Sequence, residues 1–117
     1  MTFTGHCHCR TVTLTIARQP DYLNECNCTL CTTRGAHWGY FRPAEVTTAG
    51  ATTAYVRRDM PEPALATHFC PVCGATTHWT SIMREPYDRM GVNMRLFPAA
   101  ARESVELRAV DGLSWAL

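Results

Sequence analysis

Seven cysteines carry the chemistry of this 117-residue chain: Cys7, Cys9, Cys26, Cys28, Cys31, Cys70 and Cys73. They fall into three groups. Cys7-His8-Cys9 is a C-x-C pair. Cys26-Asn27-Cys28-Thr29-Leu30-Cys31 joins a C-x-C to a C-x-x-C. Cys70-Pro71-Val72-Cys73 is a C-x-x-C followed by Gly74. An exported disulfide framework normally has an even cysteine count and an export signal. Here the count is odd, and the start, Met-Thr-Phe-Thr-Gly, has neither a basic nor an apolar leader region. A disulfide across one intervening residue would also be strained. Metal ligation fits instead. Zinc takes four ligands at tetrahedral corners with Zn–S near ~2.3 Å, which sets paired sulfurs about 3.8 Å apart. A two-residue spacer forms a knuckle that meets this demand, and Gly74 lets the backbone turn without a Cβ clash.

Seven thiolates divide into four and three. The pairs Cys7/Cys9 and Cys70/Cys73 close one site, which clips the N-terminal segment to the middle of the chain. Cys26, Cys28 and Cys31 then hold a second zinc with one corner vacant. Structural zinc sites are closed, whereas catalytic ones keep an open position. The alternative is a histidine closing the triplet, with His37 and His68 as the residues to do it. A site of three cysteines and one histidine would be structural only. Zinc on three thiolates is electron-rich and a weak acidifier of water, yet it can still bind a thiol as thiolate. Its vacant corner therefore favours chemistry at a substrate sulfur over hydrolysis. Filling both sites takes the formal charge from +1 to about −2.

Other residues are read more plainly. His6 and His8 alternate with cysteines and should point away from the first zinc. His78 is expected as a partly buried polar residue. Trp38, Tyr40 and Phe41 are expected in core packing, with the open zinc position as their other possible use. Arg34 is placed to meet a substrate carboxylate, or else to lie solvated beside its loop. Arg57-Arg58 reads as an exposed turn.

The chain that must position these groups has the length of one domain, residues 1–117. With 46% hydrophobic and 18% charged residues it is neither disordered, collagen-like nor a coiled coil. No apolar run approaches the roughly 20 residues of a membrane span. All eleven basic residues are Arg and they are scattered, so the clustered footprint of a nucleic-acid or anionic-membrane binder is missing. Cytoplasmic localisation is the expectation. Thr11–Ile16 alternates strictly and reads as a half-buried strand. Val92, Met94 and Leu96 alternate likewise, as do Val105 and Leu107, before a turn at Asp111-Gly112. Weaker strand signals cover Leu23–Cys26, His37–Phe41, Thr53–Val56, Ala64–Phe69 and Thr76–Ser81. Short helical turns are expected near Leu30–Arg34 and Pro43–Val46. The whole reads as an all-β domain, β-rich with short helical turns and with zinc knuckles at its strand ends.

Gly5-His6-Cys7-His8-Cys9, then Cys26-Asn27-Cys28-Thr29-Leu30-Cys31 with Arg34-Gly35, then Phe69-Cys70-Pro71-Val72-Cys73-Gly74 stand in an order that resembles one family. It is that of the glutathione-dependent formaldehyde-activating enzymes, which also includes centromere protein V. Gly91-Val92-Asn93-Met94 and Val110-Asp111-Gly112 resemble its closing strands. The resemblance implies a zinc-knuckle, sandwich-like β fold similar to zinc-containing Rab exchange factors. It implies a structural zinc on Cys7, Cys9, Cys70 and Cys73, and a catalytic zinc on Cys26, Cys28 and Cys31. The implied activity is that of a carbon–sulfur lyase, combining a thiol such as glutathione with a small aldehyde such as formaldehyde. The other reading of the residues is a non-catalytic, zinc-stabilised interaction module. One departure stands out: the family has Gly after the first C-x-C, where this chain has Arg10.

Overall fold

The computed structural model describes residues 2–83 and 88–114. Ten short strands and one helix are built along them: β1 (Phe3–His6), β2 (Thr13–Ile16), β3 (Leu23–Cys26), α1 (Thr29–Arg34), β4 (Trp38–Phe41), β5 (Val46–Ala49), β6 (Thr53–Val56), β7 (Leu65–Phe69), β8 (Thr76–Ser81), β9 (Met90–Asn93) and β10 (Leu107–Val110). They form two sheets. One has three antiparallel strands in the order β1-β2-β5; the other has seven, in the order β10-β3-β4-β9-β8-β7-β6. Among the described residues, only β10 against β3 is parallel. Among the described residues no helix is long and apolar enough to cross a membrane.

The main core lies between the sheets. Leu14 and Ile16 of β2 meet Leu23, Phe41, Met90 and Val92 of the larger sheet, with Met94, Phe97 and Ala101 closing the cluster. The expected alternation of Thr11–Ile16 therefore holds, although the strand begins at Thr13 and Val12 belongs to the first cysteine knuckle. On β4 the period of two sends Phe41 into this core and Trp38 to the opposite face. There Trp38 joins Ala36 and Trp79 in a second cluster, flanked by Cys31, Tyr40 and Leu65. This outer face of the large sheet is where the cysteine triplet sits.

Two alternating patterns have another outcome. Val92, Met94 and Leu96 do not share one strand, because β9 stops at Asn93 and a 3-10 turn covers Met94–Leu96. Asn93 makes the stop: its Oδ1 accepts from the Arg95 N–H at 3.2 Å, and its Nδ2 donates to the Thr76 carbonyl at 2.9 Å. Val105 and Leu107 also part. Val105 packs against the core, whereas Leu107 begins the edge strand β10 and is exposed. β1 and β5, which complete the small sheet, carry no sequence signal strong enough to have been expected.

Candidate metal centres and their surroundings

The first cluster unites two knuckles from distant parts of the chain. The Cys7 N–H donates to the Val12 carbonyl at 3.0 Å, and the Cys70 N–H donates to the Ala75 carbonyl at 2.9 Å, so each loop closes across five residues. Each loop also turns through the left-handed region, at Arg10 (φ 68°) and at Gly74 (φ 81°). Cys9 Sγ lies 3.7 Å from Cys7 Sγ and 3.6 Å from Cys70 Sγ. All four sulfurs, Cys73 included, fall within 4.8 Å of one another. These separations match the edge of a tetrahedral zinc–thiolate site, about 3.8 Å. The donor chemistry fits as well. The Val12 N–H points at Cys7 Sγ (3.3 Å) and the Val72 N–H at Cys70 Sγ (3.4 Å), as suits sulfur that carries negative charge. Hydrogen bonding to the backbone of Ala75 and Cys9 holds the Cys73 thiol down to about 6. His6 turns its Nδ1 to the Cys7 carbonyl at 2.8 Å and His8 is exposed, so both stand outside the cluster as expected.

The second cluster is local. β3 ends on Cys26, Cys28 caps α1, and Cys31 lies in that helix one turn on. The cap is made by sulfur: the Cys31 N–H donates to Cys28 Sγ at 3.4 Å. The Trp38 indole N–H donates to Cys31 Sγ at 3.4 Å. Burial is the largest influence on both thiols. It pushes Cys31 up to about 12. At Cys28 it also acts upward, but the hydrogen bonds from Cys31 and Cys26 outweigh it and leave the thiol below its usual range. A cation would have to displace the Cys31 proton, so metal uptake here releases protons.

Two residues outside the cysteine pattern shape this cluster. A Cβ on Gly112 would stand 2.5 Å from Cys26 Sγ and 3.1 Å from Cys28 Cβ, so only glycine leaves room for the sulfurs. Asn27 holds that glycine's loop in place. Its Nδ2 donates to Asp111 at 2.9 Å, its Oδ1 accepts from the Leu113 N–H at 3.0 Å, and its own N–H donates to the Val110 carbonyl at 3.0 Å. Sequence reasoning missed both roles. The signal available was Asn between the paired cysteines, a residue suited to bonding backbone, and the Asp-Gly turn far downstream.

Neither histidine named for the fourth corner joins the triplet. His37 Nε2 lies 2.6 Å from Glu25 Oε2. His68 bonds the hydroxyls of Thr52 (3.0 Å) and Thr80 (2.9 Å) and stacks on His78 at 4.4 Å. Among the described residues the group holds three cysteines and no fourth ligand. The three line a chamber of about 140 Å³, walled by Trp38, Tyr40, Leu65 and Trp79. Trp38 and Tyr40 thus serve the site as well as packing, while Phe41 is core alone. Trp79 belongs here too and was not expected; its indole lies against Gly91, where a Cβ would come 1.9 Å from Nε1. Of the Arg57-Arg58 pair, Arg58 is exposed in a bend as expected, whereas Arg57 is not. Its side chain is only 10% exposed, reaches the chamber wall, and grips Asp59 with two bonds of 2.7 and 2.6 Å. Arg34 lies outside the chamber, its guanidinium 5.0 Å over the Tyr55 ring.

The geometry has a counterpart among known proteins. A crystal structure of a Rhodobacter sphaeroides protein aligns over 90% of this chain and 99% of its own, with a TM-score of 0.68 and 24% sequence identity, which establishes a shared fold. No curated protein matches the sequence. The family profile described as glutathione-dependent formaldehyde-activating enzyme matches residues 2–108, which take in both cysteine clusters and the first half of β10. The chain belongs to the glutathione-dependent formaldehyde-activating enzyme family.

Proposed function

We propose that this chain is a zinc-dependent carbon–sulfur lyase of the cytoplasm that joins a glutathione-like thiol to a small aldehyde at Cys26, Cys28 and Cys31. One observation carries the reading: three clustered sulfurs with no fourth ligand among the described residues, all three lining one chamber, with Cys26 and Cys31 also facing a cavity of about 420 Å³ on the Asn27, His37 and Asp111 side. Zinc held there would acidify a thiol and keep its sulfur nucleophilic. The first cluster, with four sulfurs, is complete by itself and serves structure. A reducing compartment suits a chain whose seven cysteines are all free.

The remaining work falls to the chain. Asn27 and Gly112 fix where the triplet stands. The Trp38 N–H orients Cys31 Sγ and tempers its charge. Trp38 and Trp79, 3% and 6% exposed, exclude water from beside the sulfurs. In the reaction the thiol sulfur forms a bond to the carbonyl carbon, the carbonyl π pair moves to oxygen, and the thiol's proton ends on that oxygen. Replacing Cys28 by Ser tests the proposal. Thiol-dependent formaldehyde consumption by the zinc-loaded protein should fall at least about a hundredfold, while bound zinc drops from two equivalents to one. Activity that survives with a single equivalent, or a parent protein inactive with several thiols, overturns the reading.

A further inference from the structure

The chamber beside the triplet is larger and more apolar than a one-carbon aldehyde requires. Its volume is about 140 Å³, and Leu30, Trp38, Tyr40, Leu65 and Trp79 give its wall an apolar, aromatic character. Several polar groups of its lining are already engaged. Tyr40 Oη accepts from Asn24 Nδ2 at 2.8 Å, Thr67 Oγ1 donates to the Tyr55 carbonyl at 3.2 Å, and Arg57 is bound to Asp59. What faces a ligand is chiefly ring face and aliphatic carbon. An apolar cavity of about 150 Å³ has room for benzene, whereas a water-sized molecule occupies about 30 Å³. Formaldehyde would leave most of the chamber without contacts.

A second space meets the first and differs in character. A groove of about 220 Å³ shares Leu30 and Arg57 with the chamber and adds Thr29, Thr33, Arg34 and Asp59. Polar and charged, it suits the peptide-like remainder of a thiol such as glutathione. The apolar chamber is then left for the other reactant.

We propose that the carbonyl substrate is an aldehyde with an apolar substituent of about four to six carbons, seated among Trp38, Tyr40, Leu65 and Trp79 beside the three sulfurs. The inference rests on the reading of the triplet as the place of thiol addition. The bond changes are those already given, and no oxidant or reductant is consumed.

The test uses the zinc-reconstituted full chain with glutathione and four aldehydes: formaldehyde, propanal, 3-methylbutanal and benzaldehyde. Exchange NMR gives the acceleration of hemithioacetal formation over the uncatalysed reaction. The acceleration should be at least about tenfold greater for 3-methylbutanal and benzaldehyde than for formaldehyde. An acceleration greatest for formaldehyde and falling with size overturns this inference and leaves thiol addition standing. No acceleration with any of the four removes the underlying reading and this inference together. A readout without turnover comes from saturation-transfer NMR with benzamide, an unreactive stand-in. The parent should bind it, and Leu65→Phe, which fills the chamber, should weaken that binding about tenfold and lower the 3-methylbutanal-to-formaldehyde ratio. Absence of benzamide binding in the parent, or equal binding in the variant, counts against the chamber as the aldehyde's seat.

Discussion

Arg10 turns the first knuckle with φ at 68°, where a Cβ crowds the backbone at a cost of roughly 1–2 kcal/mol. Its side chain is exposed. The matching turn of the other knuckle has Gly74. Arg10→Gly should therefore stabilise the zinc-loaded protein by about 0.5–1 kcal/mol, after allowing for the greater freedom of glycine in the unfolded chain. A higher urea midpoint at unchanged slope would show it; an equal or lower midpoint would mean that the Arg10 side chain contributes more than its backbone costs. At this scale the sequence was most readable where chemistry is stereotyped. Cysteine spacing alone divided the thiols into the two clusters that the fold assembles. Asn27 and Gly112 were opaque because their roles depend on a partner more than eighty residues away. Arg57 was misread because doublets of arginine are usually solvated, and only the fold brings Asp59 and the chamber to it.

Strand β8 carries a buried charge problem. His78 is 5% exposed, holds the Thr77 hydroxyl at 2.8 Å and lies flat against His68 of β7. Burial first, then the neighbouring His68, pushes the His78 imidazole down to about 4. The unfolded chain takes up this proton near pH 6.5, but the folded chain resists until about 4. Unfolding thus binds a proton between those values, and the stability His78 contributes above pH 6.5 is lost as the pH falls toward 4. By pH 5 the loss amounts to about 2 kcal/mol. His78→Gln keeps a partner for Thr77 and removes the titration. The drop in unfolding free energy from pH 7 to pH 5 should be smaller in the variant by about that amount, and equal drops would sink the assignment. The strands of this region were visible in the sequence because β-branched and aromatic residues cluster there. Their ends were less so. Asn93 stops β9 with its own side chain, and alternation continues through the 3-10 turn beyond it, so period alone could not distinguish the two. β1 and β5 are short; β5 is exposed at three of its four residues and β1 fully buries only Gly5, so they lack the apolar contrast that marks a strand.

Across the molecule the two clusters tie the chain together in unequal ways. The triplet is gathered from six consecutive residues, so closing it restricts the unfolded chain little. The four-sulfur cluster joins Cys9 to Cys70 across 61 positions, and through them the small sheet to the β7–β8 hairpin of the large one. A cross-link of that span lowers unfolded-chain entropy by an amount worth on the order of 4 kcal/mol, before the binding energy of the ion itself is added. A domain of this size has a margin of only about 5–15 kcal/mol, so its fold depends on one cluster and hardly on the other. Titration with a chelator should separate them. One zinc equivalent should leave first, from the triplet, with the far-ultraviolet circular dichroism unchanged. The second should leave only at higher chelator, together with the β signal and the tryptophan emission of a packed core. Two variants assign the steps. Cys28→Ser should abolish the first release and keep the fold, whereas Cys70→Ser should unfold the protein or cut its stability by several kcal/mol even with zinc in excess. Simultaneous release of both equivalents would overturn the unequal roles of the clusters, and a fold that persists after the second would show that the two sheets hold together through their shared apolar core of Leu14, Ile16, Phe41 and Val92 alone.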